Sequence, residues 1–240
     1  MKKLSLILLV LFASLQIFAQ ETDGEKKKGY VFETIKEVKT STVKDQHRSG
    51  TCWSFSTLSF IEAEILRNGG EEVDLSEMFV VRHVYSDKAK RHVRMHGHFN
   101  FGGGGALNDP FDVMKKYGLV PEEAYTGLQY GENNHVHGEL DLVLSEYVEA
   151  VIENKNRKLT TAWHNGFNGI LDAYLGKTPE SFDYKGKNYT PRTFADEVVK
   201  LNSDDYVYLT SFTHHPFYEK FIVEVPDNWL WGHVYNLPLD

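Results

Sequence analysis

The sequence of 240 residues predicts an α+β fold, with helices over most of the chain and strands towards its carboxyl end. Apolar side chains recur at helical spacing after residue 52, and again within 140–151 and 167–174. Two later runs, 204–209 and 221–225, are rich in residues that favour strands. With 41% hydrophobic and 13% aromatic residues, the chain can fill one large domain or two small ones.

Four helices are predicted from apolar spacing and capping residues. The first begins near Cys52, carries Leu58, Ile61 and Ile65 on one face, and ends at the Asn-Gly-Gly of 68–70. The next two are marked by Leu140, Leu144, Val148 and Val151, and by Phe167, Ile170, Leu171 and Tyr174. A typical N-cap and first-turn proline, Thr190 and Pro191, predict a fourth helix that runs to Val199.

The amino terminus has the pattern of a bacterial secretory signal peptide. A short basic start is followed by an almost wholly apolar run from Leu4 to Phe18, and cleavage is expected near Ala19. Because the run is short for a membrane span, we expect release of the mature protein into the periplasm or the medium, without a membrane association. The alternative is a retained membrane anchor. Residues 1–19 are thus assigned to the signal peptide, and 20–40 to a polar linker and a first strand.

The charge of the mature chain excludes one class of partner. Loss of Lys2 and Lys3 lowers the Lys and Arg count from 26 to 24 against 34 Asp and Glu, a net charge of −10. An acidic protein without a basic stripe is a poor ligand for nucleic acid. We therefore expect no nucleic-acid partner.

Cys52 is the chain's only cysteine and cannot form an internal disulfide. Its predicted place at a helix N-terminus favours a thiolate, because the helix dipole and free N–H groups stabilise an anion there. The alternative, a buried core cysteine, would be preceded by apolar residues, whereas QHRSGT precedes Cys52. Gln46 lies six residues earlier, and its amide can donate to an oxyanion together with the Cys52 N–H. The pattern favours a nucleophilic thiol.

These residues resemble the active-site segment of papain-like cysteine peptidases. Three stretches carry the resemblance, in order and at compatible spacing over about residues 40–130: Gln46 to Phe55 with Gly50-Thr51 before the cysteine, Leu75-Ser76-Glu77, and Gly104-Gly105 with the helix and the Tyr117-Gly118 that follow. The resemblance implies Cys52 as nucleophile, Gln46 as oxyanion donor, and Gly104, Gly105 and Trp53 as substrate-binding residues. It implies peptide substrates and no cofactor. Taken without it, the glycines could form a flexible loop.

Two further segments are similar to the branch of bleomycin hydrolase and bacterial aminopeptidase C. These are the expanded stretch 81–105 and the stretch 208–229. The resemblance implies a papain-like helical lobe over 41–130, which carries the nucleophile helix, and insertion helices with the beginning of a β-rich lobe over 131–240. It also implies an aminopeptidase. Half of a two-lobed fold would leave apolar surface uncovered, so a homo-oligomer is a further expectation.

The partner residues of a papain-like nucleophile do not match in this sequence. The family takes its histidine and asparagine from the β-rich lobe, with Ser-Trp-Gly after the asparagine, and no such motif occurs here. His47 is too close to Cys52 in sequence, which leaves His214, His215 and His233 as weak candidates. We therefore expect the amino-terminal portion of a larger peptidase or a truncated relative. The alternative is a complete enzyme of 240 residues with a rewired catalytic dyad. The alternative function is an inactive, peptide-binding relative that lacks the His/Asn half of the site.

A histidine cluster suggests a third, weaker hypothesis. His92 and His96 are four residues apart, with His98 close by, which is compatible with a metal site. Position 93 is valine, so the acidic residue of an H-E-x-x-H motif is absent. We predict a packing or surface role and no metal.

Overall fold

The structure is a computed structural model that describes residues 29–156 and 158–239. The predicted signal peptide, 1–19, lies outside the described residues. The chain divides into two compact units, of which the first ends at Glu37 and the second begins at Val38. Residues 29–40 form no helix or strand, and the rest of the range 20–40, in which a first strand is expected, lies outside the described residues. The predicted subdivision near residue 130 stays a prediction.

The second unit is built on five helices of two turns or more among its described residues. They are α1 (Cys52–Arg67), α2 (Glu77–Arg94), α3 (Asp109–Tyr117), α4 (Gly138–Ile152) and α5 (Ala162–Leu175). The sequence predictions for α1, α4 and α5 are confirmed. Within the described part of the chain, no helix has the length and apolar character needed to traverse a lipid bilayer.

The fourth predicted helix forms, but only its first turn is α-helical and the rest is π-helical. Thr190 accepts a hydrogen bond from the Thr193 N–H as a cap, and α6 (Pro191–Phe194) follows. The backbone then continues as a π-helical turn over Ala195–Val199 and ends at Lys200 in the left-handed conformation. The capping residues therefore predicted the start correctly, because Thr190 and Pro191 fix it whatever the later winding.

Two small sheets complete the unit, and here the strand predictions were only partly right. An antiparallel hairpin pairs β1 (Phe182–Tyr184) with β2 (Lys187–Tyr189). The second sheet has the order β3-β5-β4, from β3 (Leu209–Thr210), β4 (Lys220–Ile222) and β5 (His233–Asn236). The hairpin and β5 were not predicted. The predicted strand 204–209 is wrong except for Leu209.

Local hydrogen bonding explains why the strand predicted over 204–209 does not form before Leu209. Ser203–Asp205 forms a 3₁₀ turn, whose Asp204 N–H donates to the Asn202 side chain at 3.1 Å. Asn and Asp favour such turns because their side chains bond the backbone in place of a strand partner. The predicted strand 221–225 forms over 220–222 only, and Asn228 then holds the next turn by donating to the Val223 carbonyl.

Helix α2 is the centre of the apolar core. It packs against α1, α3, α4 and α5, and Phe79 and Tyr85 on α2 are about fully buried. The same helix also carries a buried lysine, Lys88, on this inner side. The mixed helix and strand architecture confirms the predicted α+β class.

A charged cluster fixes the segment that leads to α1. Lys44 Nζ lies 2.5 Å from Glu62 Oε1, 2.5 Å from Asp74 Oδ1 and 3.3 Å from Glu77 Oε1. The Glu62 carboxylate, 1% exposed, also accepts the Leu75 N–H at 2.7 Å. One lysine thus faces three carboxylates from α1, α2 and the loop between them. The sequence analysis did not identify this cluster.

A fourth carboxyl makes the cluster sensitive to pH. Burial, with the negative charge of Glu77, raises the pKa of Glu122 to about 8. The unfolded chain loses this proton near the ordinary value, so the stability contributed by Glu122 falls as the pH rises from about 4.5 to about 8. We expect Glu122→Gln to raise the melting temperature at pH 8 and to change it much less at pH 5. Thermal unfolding at both pH values, with exposed Glu123→Gln as control, checks this. An equal shift at both would contradict it.

Candidate active site

Cys52 is the first residue of α1, as predicted. The cysteine is free and exposed. Gly50 has a φ of +69°, a conformation that suits glycine, and turns the chain into the helix. The Thr51 hydroxyl does not cap the helix but contacts Ser49 Oγ at 2.5 Å. The amino-terminal end of the helix dipole therefore lies beside the thiol without a side-chain cap, which favours an anion there.

Gln46 lies in the turn that precedes the helix. The Ser49 N–H donates to the Gln46 carbonyl at 3.3 Å, and Asp45 accepts the His47 N–H at 2.7 Å. The Gln46 Oε1 atom is buried without a hydrogen-bond partner among the described residues. Gln46 and Cys52 line the same cavity of about 480 Å³. The structure thus brings the two predicted residues together at one cavity.

The glycine segment lies close to the same helix end through Trp53. This side chain is 4% exposed, and its Nε1 donates to the Gly103 carbonyl at 2.9 Å. A Cβ at Gly105 would lie 2.6 Å from the Trp53 ring, and one at Gly104 would overlap the Asp227 carboxylate. Only glycine fits at either position without a shift. Trp53 therefore contacts the glycine segment, and its direct contact with substrate stays a prediction.

Asp109 ties the glycine segment to the carboxyl-terminal part of the chain. Its Oδ2 atom accepts the Ala106 N–H at 3.0 Å and the Trp229 Nε1 proton at 2.8 Å. Burial raises the pKa of Asp109 to about 6. The sequence analysis missed this residue. A usable signal was Asn108-Asp109-Pro110 at a helix start, where a carboxylate can bond nearby N–H groups.

A second, mostly apolar cavity of about 680 Å³ lies beside the glycines. Ser56 of α1 and Gly105 line it on one side, and the second sheet and its flanking residues line it on the other. Its aromatic and large aliphatic lining residues are Phe60, Leu107, Phe111, Tyr206, Val207, Tyr208, Leu209, Val223, Val225 and Val234. The cavity can take an apolar group adjacent to the glycine segment.

None of the histidines within the described residues lines the cavity of Cys52. His47 contacts Asp45, with 3.5 Å between Nε2 and Oδ2. His215 stacks on Phe221 in the second sheet, and His233 lines the apolar cavity. The arrangement therefore does not bring any of the candidate bases named above to the lining around the thiol.

Two other histidines, His135 and His137, are hydrogen-bonded through their backbone to the turn that contains Gln46, and they were not predicted from the sequence. The Arg48 N–H donates to the His135 carbonyl at 3.0 Å, and the His137 N–H donates to the Arg48 carbonyl at 3.1 Å. His137 is fully buried, and burial lowers its pKa to about 4. It is therefore neutral at pH 7 and packs behind the turn. The His-Val-His stretch of 135–137 was the signal in the sequence that could have identified these residues.

The His92 cluster does not gather ligands in this structure. His92 is 4% exposed, its Nδ1 contacts the Phe99 carbonyl, and its Nε2 lies 3.0 Å from Glu149 Oε1. Among the described residues, no group of three His, Cys, Asp or Glu side chains is arranged to hold a metal. His92 has the predicted packing role between α2 and α4.

Comparison with known proteins assigns the family. The model of the Peptidase C1-like family matches residues 12–237. Aminopeptidase G of Lactobacillus delbrueckii subsp. lactis is 25% identical over 82% of this chain and 53% of its own length. Oryzain gamma chain of Oryza sativa subsp. japonica is 39% identical over 87 residues, 35% of this chain and 21% of its own.

The fold agrees with a solved relative. The structure of PepW from Lactobacillus rhamnosis HN001 superposes with a TM-score of 0.65 at 20% identity, over 85% of this chain and 55% of that one. The chain spans about half the length of the curated aminopeptidases that it matches. The predicted papain-like resemblance is confirmed, and this chain belongs to the Peptidase C1-like family.

Proposed function

We propose that this chain carries the nucleophile of a cysteine peptidase that hydrolyses peptide bonds. The observation that carries the proposal is the shared cavity of Gln46 and Cys52 at the start of α1. The Cys52 thiolate attacks the scissile carbonyl. The Gln46 amide and the Cys52 N–H then stabilise the oxyanion, since both donors belong to the turn and helix end that hold the nucleophile. No cofactor enters this chemistry.

Peptide recognition is assigned to the glycine segment and the apolar cavity beside it. Gly104 and Gly105 would pair their backbone with an extended substrate, as a sheet edge pairs with an added strand. The cavity of about 680 Å³ lies next to Gly105 and would take an apolar substrate side chain. We propose an aminopeptidase, by analogy with the relatives described above.

Export and assembly are further proposals. We propose that the protein is released after cleavage near Ala19 into the periplasm or medium of a bacterium, without membrane or nucleic-acid partners. Amino-terminal sequencing of the exported protein should then begin at Gln20. We also propose a homo-oligomer, because Phe60, Leu209 and Val225 around the apolar cavity are each exposed by 47% or more. Analytical ultracentrifugation would test it, and a stable monomer would contradict it.

A second candidate function is peptide binding without hydrolysis. It is favoured by one observation, the cavity of Cys52 without a histidine among its described lining residues. A cysteine peptidase needs a base that accepts the thiol proton. A chain with Gln46, Cys52 and the glycines but no base would bind peptides and turn over none.

The rate of Cys52 alkylation by iodoacetamide separates the two functions. It is measured on the mature protein between about pH 4 and pH 9, with Cys52→Ser as the blank. If a histidine pairs with the thiol, labelling stays fast to about pH 5 and is lost in one variant among His214→Ala, His215→Ala and His233→Ala. A rate that rises only through about pH 8, as for an ordinary thiol, would favour the binding function of this chain alone.

A further inference from the structure

Three consecutive carbonyls of the glycine segment are bound by buried side chains. Lys88 Nζ donates to the Gly102 carbonyl at 2.9 Å and also to the Gly104 carbonyl. Trp53 Nε1 donates to the Gly103 carbonyl between them at 2.9 Å. The three carbonyls are therefore all satisfied from α1 and α2 rather than by solvent.

Lys88 is an unusual residue to find at this position. It is 2% exposed, and its neighbours on the same face of α2 are Tyr85 and His92, which are also buried. Burial lowers the pKa of Lys88, while Asp109, Asp227 and Asp141 raise it. Within the described residues, no carboxylate lies within 4.0 Å of its Nζ atom. Its hydrogen bonds go to the glycine backbone, with the carboxylates farther off.

The direction of the carbonyls sets the direction of the amides. The described peptide bonds are trans, and the C=O and N–H of a trans peptide point in opposite directions. The N–H groups of Gly103, Gly104 and Gly105 therefore point away from Lys88 and Trp53. In the part of the chain that the structure describes, none of these three groups donates a hydrogen bond. They are free to donate to a carbonyl that approaches from outside.

Lys88 shares the restraint of this segment with Trp53, which binds the Gly103 carbonyl, and with Asp109, which accepts the Ala106 N–H. Residues 98–106 form no helix or strand, and four consecutive glycines have a large conformational entropy to lose. Cys52 is the chain's only cysteine, so a disulfide cannot restrain the loop. Without the Nζ atom of Lys88, two of the three carbonyls would lose their donor and the peptide planes could rotate.

We propose that Lys88 is the positioning residue of the peptide-binding site, which orients the amides of Gly103–Gly105 towards the substrate backbone. The proposal rests on the proposed function of Gly104 and Gly105. Lys88 does not touch the substrate. It acts through the glycine backbone, so its removal should weaken recognition of a peptide and leave the thiol chemistry of Cys52 unchanged.

Two electrophiles of different size test this in the full chain. A dipeptidyl vinyl sulfone must dock on the glycine segment before Cys52 reacts, whereas iodoacetamide needs no docking. We expect Lys88→Met to lower the ratio of the two labelling rates by about 10²-fold, the loss typical of a misplacement of about 1 Å. Lys88→Gln, which retains one donor, should lower it less. Lys90→Met on the same helix, at a half-buried position away from the glycine carbonyls, is the matched control and should leave the ratio as in the wild type.

The outcomes distinguish the two proposals. If the wild type shows no preference for the dipeptidyl probe, the proposed peptide site fails and the role of Lys88 fails with it. If the wild type shows the preference and folded Lys88→Met retains it, only the role of Lys88 is overturned. A general loss of structure would lower both labelling rates together, so circular dichroism accompanies each measurement. Should the Met variant not fold, an unchanged ratio in Lys88→Gln would overturn the role instead.

Discussion

Replacing Gln46 by alanine should lower the affinity of the protein for a peptidyl aldehyde by about 10²-fold, the cost typical of losing one oxyanion donor. The aldehyde carbon forms a bond to the Cys52 sulfur, and the carbonyl oxygen takes up the charge that an oxyanion would carry. Gln46 shares the cavity of Cys52, so its amide lies near the atom that would carry this charge. The dissociation constant of the adduct, measured by competition, gives the change directly.

Iodoacetamide provides the internal control for this variant. Its displacement reaction forms no oxyanion, so the alkylation rate of Gln46→Ala should equal that of the wild type. Gln129→Ala, at an exposed position, is the matched control for loss of a glutamine amide. Equal loss of aldehyde affinity and alkylation rate would mean that Gln46 acts only by shaping the turn. Unchanged aldehyde affinity would remove Gln46 from the oxyanion site.

Replacing Lys44 by methionine should destabilise the protein by about 3–5 kcal/mol, the cost of leaving a buried ion pair without one partner. Glu62 and Glu77, 1% and 4% exposed, would then face each other without the ammonium. For a chain of this size that corresponds to a fall in melting temperature of about 6–20 °C. Thermal unfolding at pH 8 measures it.

The pH dependence identifies the cause of that loss. Burial raises the pKa of Glu77 to about 7, so this carboxyl is neutral at pH 5 and no longer needs a counter-ion. The difference between wild type and Lys44→Met should therefore be smaller at pH 5 than at pH 8. Exposed Lys39→Met, in the same segment, should have little effect at either pH. A melting temperature of Lys44→Met equal to that of the wild type at pH 8 would show that the cluster does not hold the segment.

Local sequence was sufficient to place Cys52 at the start of a helix and to predict that helix. The run from Gly50 to Gly70 combines a turn glycine, an uninterrupted apolar face and a terminating Asn-Gly-Gly, all of which act within a few residues. The start of α6 was also predicted from local sequence, because the cap Thr190 and the first-turn Pro191 are sufficient to determine it. The resemblance of the segments around Cys52 and Gly104 identified the family, which the comparisons confirmed.

Contacts between residues far apart in the chain could not be predicted from the sequence. Strands of two to four residues, such as β3 and β5, form only because partners far along the chain supply their hydrogen bonds. In the sequence, Lys44 and Lys88 cannot be told from ordinary surface lysines. Only the fold places carboxylates around Lys44 and glycine carbonyls against Lys88. The sequence by itself thus determined the place of Cys52 at a helix start, that helix and the family, because their signals are local. The tertiary structure decided the shared cavity of Gln46 and Cys52, the buried charges and the orientation of the glycine amides, since each depends on groups brought together only by packing.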